Sequence, residues 1–157
     1  MLSETLRMAH AMFDGERGTE ERFEGRHFNA TRLLNSPQSL SRPRVPIMIG
    51  GGGEQVTLRL VARYADACNV FGAPDVIAGK YAILRRHCED VGRPYDEIER
   101  STLQRVNLAV EEPAAVVERF RALGEAGAEH VLFSLRELHD PRNLETIGRE
   151  VLPALRD

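Results

Sequence analysis

The chain has 157 residues, 42% hydrophobic and 29% charged, the composition of an ordinary globular domain and not of a disordered segment. Its net charge of −3 argues against a nucleic-acid partner, because a protein that grips the phosphate backbone clusters Lys and Arg into a basic surface. No apolar run approaches the roughly 20 residues that cross a membrane; the opening Met1-Leu2-Ser3-Glu4-Thr5-Leu6-Arg7 lacks the apolar centre of a secretory signal, so the expected location is cytoplasmic.

Leu2, Leu6, Ala9 and Phe13 recur at helical spacing up to Asp14-Gly15, which predicts a lead helix over residues 1–14. Residues 15–44 read as an insertion. They begin with a polar, glycine-containing stretch and continue through Arg22-Phe23-Glu24-Gly25-Arg26-His27-Phe28, where two short arms flanking Glu24-Gly25 predict a hairpin. Asn35 to Arg44 is expected to be a loop, because Pro37 and Pro43 break both helical and strand periodicity.

From Val45 the pattern becomes regular. Val45-Pro46-Ile47-Met48-Ile49 is a short apolar strand candidate that runs into Gly50-Gly51-Gly52-Gly53, and the following helix is expected to align Val56, Leu60, Val61 and Tyr64. Asp66 to Gly72 predicts a second strand, and Ile77, Tyr81, Leu84, Cys88 and Val91 a helix that stops at Gly92 and Pro94. A third strand is expected at about Ser101 to Val110, before a helix carrying Val116, Phe120 and Leu123. His130 to Leu135 predicts the fourth strand, and Asp140-Pro141 caps a helix carrying Leu144, Ile147, Val151 and Leu155. Cys68 and Cys88 sit within these apolar segments and have no metal-ligand spacing, so buried free thiols and no metal are expected.

Four consecutive strand-helix units over residues 45–157 imply an α/β fold with a parallel sheet, because parallel strands need crossover connections. Two architectures fit: a small open sheet, or half of a (β/α)8 barrel, whose closure needs eight strands.

The glycine run lies where a strand meets the next helix, the end of a parallel sheet at which ligands bind. Glycines let the backbone approach an anion, and N–H groups of a first helical turn point at it, so a phosphate fits there. Gln55 excludes the G-x-G-x-x-G dinucleotide pattern, and no Gly-Lys-Ser/Thr follows to make a P-loop. Glu54 opposes an anion unless it faces away or takes a hydrogen bond. The competing reading is a tight turn required only by packing.

Pro46 to Glu54, then Thr57-Leu58-Arg59-Leu60-Val61-Ala62-Arg63-Tyr64-Ala65-Asp66-Ala67-Cys68-Asn69, resembles the C-terminal half of the luciferase-like monooxygenase family. Phe23 to Phe28, Asn35-Ser36-Pro37, and Leu84 to Arg93 resemble its branch of oxidoreductases that use the deazaflavin coenzyme F420. The resemblance implies the C-terminal half of a luciferase-like (β/α)8 TIM barrel, four βα units preceded by a helix and an insertion. It implies F420, alternatively FMN, at the C-terminal mouth, and hydride transfer to or from an organic small-molecule substrate. Carried over residue by residue, the cofactor's phosphate side would lie against Gly51, Gly52, Gly53, Glu54, Val56 and Thr57. The ring-holding and proton-donating residues of the family come chiefly from the first four strands, none of which is in this chain, so no catalytic residue is assigned.

Polar positions at the ends of the later strands are candidates for the substrate mouth: Arg105 and Asn107 on the third strand, and Ser134, Arg136 and His139 at and after the fourth. His10, His27, His87 and His130 have no partnered motif, and Arg85-Arg86 and Glu111-Glu112 read as solvated charges. Half a barrel leaves two strand edges and an inner apolar face uncovered, so a homo-oligomer or association with an N-terminal barrel half is expected.

Overall fold

The computed structural model describes residues 1–19 and 21–156; Glu20, in the expected insertion, and Asp157, closing the expected βα array, lie outside them. Helix α1 (Leu2–Phe13) is followed by a two-stranded antiparallel ribbon of β1 (Phe23–Glu24) and β2 (Asn29–Ala30). The strands β3 (Met48–Gly50), β4 (Ala67–Val70), β5 (Glu99–Val106) and β6 (His130–Leu135) then alternate with helices α2 (Thr57–Tyr64), α3 (Pro74–Val91) and α4 (Pro113–Glu125). A last helical run comprises α5 (Pro141–Thr146), a wide turn at Ile147–Val151 and α6 (Leu152–Ala154). The sheet order is β3-β4-β5-β6 with every pair parallel, so each helix returns the chain to the same end of the sheet. Among the described residues no helix is long and apolar enough to cross a membrane.

The core lies between one face of the sheet and the helices. Ile77, Tyr81, Leu84 and Cys88 of α3 are buried at the expected helical spacing, and Gly92 ends the helix at φ +68°, accepting the left-handed conformation that caps it. Burial pushes the Cys68 thiol up to about 11 and the Cys88 thiol upward, so both free cysteines are inert fillers of this layer. Arg100, also buried, reaches Glu129, the Gly127 and Ile98 carbonyls and the face of Tyr95, which satisfies its charge beside the core.

Several elements depart from the sequence pattern. β4 is confined to Ala67–Val70 within the expected Asp66–Gly72, and β5 ends at Val106 and not at Val110, because Asn107 opens a turn by accepting from the Val110 and Glu111 N–H groups. β3 starts at Met48 and not at Val45, because Pro46 has no N–H to give and Ile47 is engaged elsewhere. Its N–H donates to Asp66 Oδ2 at 2.7 Å and its carbonyl accepts from the Asp66 N–H at 2.8 Å. The hairpin turns over residues 25–28 and not at Glu24-Gly25, since the N–H groups of Arg26, His27 and Phe28 all donate to the Glu4 carboxylate of α1. The final helix widens at Ile147–Val151, where Leu152 N–H bonds to the Ile147 carbonyl. Pro153 can neither donate to the ladder nor tolerate the carbonyl four residues earlier, and the wide turn accommodates it. Leu144 is exposed, against expectation, while Ile147 and Val151 stay buried.

Asp66 joins β3 to β4 through Ile47 and through both guanidinium nitrogens of Arg44. Partial burial alone would raise its carboxyl, but Arg44, the Ile47 N–H and Arg93 outweigh this and hold it below the ordinary 3.8. A depressed carboxyl stabilises the fold above its unfolded value, and that stabilisation is lost as pH falls through the native value. The difference in urea midpoint between the protein and Asp66→Asn is therefore expected to shrink from neutral pH to below about 3.8. A gap independent of pH would contradict this role.

Candidate functional site

The sheet delivers β3 to its C-terminal end at Gly50, and three more glycines intervene before α2 begins at Thr57. Gly51 has φ +125°, a conformation that side chains strongly disfavour, and its N–H donates to the Asn69 carbonyl at 2.9 Å. That bond closes the β3–β4 ladder and fixes where the turn departs. Beyond it, the N–H groups of Gly52, Gly53, Glu54 and Gln55 have no acceptor among the described residues. A Cβ on Gly53 would stand 2.8 Å from Thr57 Oγ1, so the first residue of α2 leaves room there for glycine alone. Unpaired donors at the positive end of a helix and backbone stripped of side chains make a cradle for an anionic group.

Glu54 is compatible with that cradle because it is neutralised. Its Oε1 accepts from Lys80 Nζ at 2.6 Å, and this bond to the ammonium holds the carboxyl below its usual value. His87 Nε2 lies 2.8 Å from the Glu54 carbonyl, so the side chain expected to be an idle surface group braces the turn from α3. Lys80, which sequence reasoning did not single out, runs beside the glycines: a Cβ on Gly52 would be 3.5 Å from its Cε. The signal for it was weak, a lone lysine within the α3 pattern whose approach to Gly52 depends on how α3 packs against α2. Thr57 is half-buried below the turn, but Val56 is 67% exposed. It does not share the buried face of Leu60 and Val61, because the helix starts one residue later and Leu58 takes the inward position.

The rim at the same end carries the remaining candidates. Arg105 and Ser134 are register partners on β5 and β6 and are both exposed on the face turned away from the helices. Asn107 does not join them. Its Oδ1 accepts from the Ala109 N–H and its carbonyl from the Val110 and Glu111 N–H groups, so it builds the turn after β5. Glu111, expected to be solvated, clamps the same turn by bonding the Asn107 N–H and Arg119. Arg136 and His139 are exposed in the loop after β6, where the Arg136 N–H is tied to the Val106 carbonyl. Arg105, Ser134, Arg136 and His139 are thus brought to one end of the sheet, the end that carries the glycine turn. Among the described residues, no three of His, Cys, Asp and Glu are grouped to hold a metal ion.

A family model for luciferase-like monooxygenases matches residues 1–155. The chain belongs to this family. Comparison with curated proteins finds no match. Among solved structures, an F420-dependent secondary alcohol dehydrogenase in complex with an F420–acetone adduct superposes with a TM-score of 0.84 at 13% identity, over 100% of this chain and 62% of that one. The coenzyme F420-dependent tetrahydromethanopterin reductase from Methanopyrus kandleri gives 0.73 at 14% identity, over 95% of this chain and 61% of that one. The riboflavin lyase RcaE, with modified FMN and riboflavin, gives 0.74 at 12% identity, over 99% and 56%. The luciferase-like fold is therefore that of part of a (β/α)8 barrel, and the chain spans about three fifths of the length of the first two structures.

Proposed function

We propose that this luciferase-like chain holds the phosphate side of coenzyme F420 in an oxidoreductase that transfers hydride between the deazaflavin and an organic substrate. The observation that carries the reading is the turn of residues 50–53, with N–H groups of Gly52 to Gln55 unpaired where β3 meets α2. F420 supplies the hydride chemistry at its ring; the residues of this chain bind and orient its other end. Gly52, Gly53 and Glu54 offer backbone donors, Gly51 sets the path of the turn, Thr57 supports it, and exposed Val56 flanks it. Lys80 runs beside Gly52, and by neutralising Glu54 it removes the charge that opposes an anion. Arg105, Ser134, Arg136 and His139 face the substrate side of the mouth. The resemblance of Phe23–Phe28 and Leu84–Arg93 to the F420 branch, and the F420-dependent character of two similar structures, support the deazaflavin. FMN is the second reading, favoured by the FMN-containing RcaE.

Fluorescence titration with F420 and with FMN tests the choice. F420 is expected to bind more tightly, and Lys80→Met to weaken it by about tenfold, a loss of ~1.4 kcal/mol, while Arg149→Ala, exposed on the C-terminal helical run, leaves it unchanged. Tighter binding of FMN would replace F420 as the cofactor, and an unaffected Lys80→Met would remove Lys80 from the site.

A further inference from the structure

A buried amide at the foot of the glycine turn carries an oxygen with no partner. Cys68 and Val70, its neighbours on β4, are fully buried in the core between sheet and helices, so strand alternation turns Asn69 to the opposite face. Asn69 is nevertheless only 9% exposed. Its Nδ2 donates to Ser101 Oγ at 2.9 Å, and that hydroxyl donates its single hydrogen to the Cys68 carbonyl at 2.8 Å. Ser101 can therefore only accept from Asn69, which fixes the amide with its nitrogen toward β5 and its oxygen away from it. Ser101 is itself held: it has no exposed surface, and its carbonyl accepts from Tyr81 Oη of α3 at 3.0 Å. Asn69 Oδ1 has no hydrogen-bond partner among the described residues, and no side-chain oxygen or nitrogen lacking one is fully enclosed there. The oxygen thus opens onto the free face of the sheet.

Beside this oxygen lies the glycine turn. Gly50 is the register partner of Asn69 on β3, about 4.8 Å away across the ladder, and a Cβ there would meet nothing within 4 Å, so the space next to the amide is open. The Asn69 carbonyl takes the Gly51 N–H, which ties the backbone of Asn69 to the turn itself. A carboxamide oxygen only accepts, so it repels a phosphate and requires a hydroxyl or N–H donor. In flavin and deazaflavin cofactors alike, a chain of hydroxyl-bearing carbons joins the ring to the phosphate. With the phosphate at Gly52 to Gln55, the part of the cofactor next to Gly50 is that chain. We propose that Asn69 Oδ1 accepts a hydrogen bond from a hydroxyl of the cofactor's polyol chain and so selects hydroxylated chains over plain alkyl ones, with Ser101 as the residue that positions the amide. The placement rests on the phosphate reading of the turn. An alkyl chain over the same oxygen would cover a polar atom without pairing it, which costs more than the loss of a bond exposed to water.

The test is fluorescence titration of the full chain with FMN, with riboflavin, and with a flavin that carries the same phosphate on an unsubstituted five-carbon chain. FMN is expected to bind about fivefold more tightly than the alkyl phosphate, and Asn69→Leu, which keeps the volume and removes the oxygen, to bring the two within about twofold. The preference for FMN over riboflavin should survive that substitution. Ser101→Ala, which frees the amide to turn over, should shrink the hydroxyl preference and leave the phosphate preference in place. Equal affinity of the unsubstituted protein for FMN and the alkyl phosphate would overturn the proposal without any variant, as would a hydroxyl preference that persists in folded Asn69→Leu. If FMN and riboflavin bound equally and both exceeded the alkyl phosphate, the phosphate would leave the turn and Asn69 would remain a hydroxyl acceptor. No measurable binding of any of the three would overturn both.

Discussion

Leu84→Ala is expected to lower the unfolding free energy by about 2–5 kcal/mol, the range for deleting a fully buried leucine and leaving a cavity behind. Leu84 has no exposed surface and sits mid-way along α3, between Tyr81 and Cys88 on the face that closes over the sheet. α3 is also the helix that packs on both α2 and α4, so a void beneath it loosens contacts on either side. Domains of this size have only about 5–15 kcal/mol in total, so the loss removes a large part of the margin. A urea titration reads it as a fall in midpoint at constant slope, against Arg86→Ala on the exposed side of the same helix, which should stay within about 0.5 kcal/mol. If Leu84→Ala moved the midpoint no more than that control, the core would not be organised on α3.

Gly51→Val is expected to cost ligand affinity more than any other single change in the glycine turn. At φ +125° a β-branched residue is strained by about 1–3 kcal/mol, and the chain relieves that strain by moving the turn. Such a move breaks the bond from Gly51 N–H to the Asn69 carbonyl and redirects the N–H groups of the three residues that follow. Binding of a phosphate-bearing flavin or deazaflavin should fall at least about tenfold, ~1.4 kcal/mol, with the far-ultraviolet spectrum unchanged. Gly124→Ala is the matched control, since it lies in α4, outside the turn, and a Cβ there meets nothing within 4 Å. Equal affinity for the protein and Gly51→Val would show that the turn is required only by packing.

How much of this was legible in the residues differs from element to element. His130–Leu135 emerged with the boundaries of its apolar run, and the α3 face with its spacing, because both patterns are long and fully buried. Short elements were set by partners distant in sequence. Asp66 takes the N–H of Ile47 and delays β3, and Glu4 takes three N–H groups of the hairpin and moves its turn; neither carboxylate is marked locally as a backbone acceptor. The position of the glycine site was readable, since a strand ending in four glycines before a helix has few other geometries. Its electrostatics were not: Lys80 and His87 reach the turn from α3, more than twenty residues away, and only tertiary packing aims them. Asn107 shows the converse limit, because alternation put it on the open face while its own short side chain bonded the backbone of the turn.

Recognition of a flavin-type cofactor's phosphate by the turn between β3 and α2, as proposed, is measured most directly by changing that group alone. FMN and riboflavin share a ring system and differ in the phosphate, so paired fluorescence titrations of the chain isolate it. FMN is expected to bind at least about tenfold more tightly than riboflavin, with the difference reduced by salt and abolished by Gly51→Val. Equal affinity for the two, in low salt and in the unsubstituted protein, would contradict the claim.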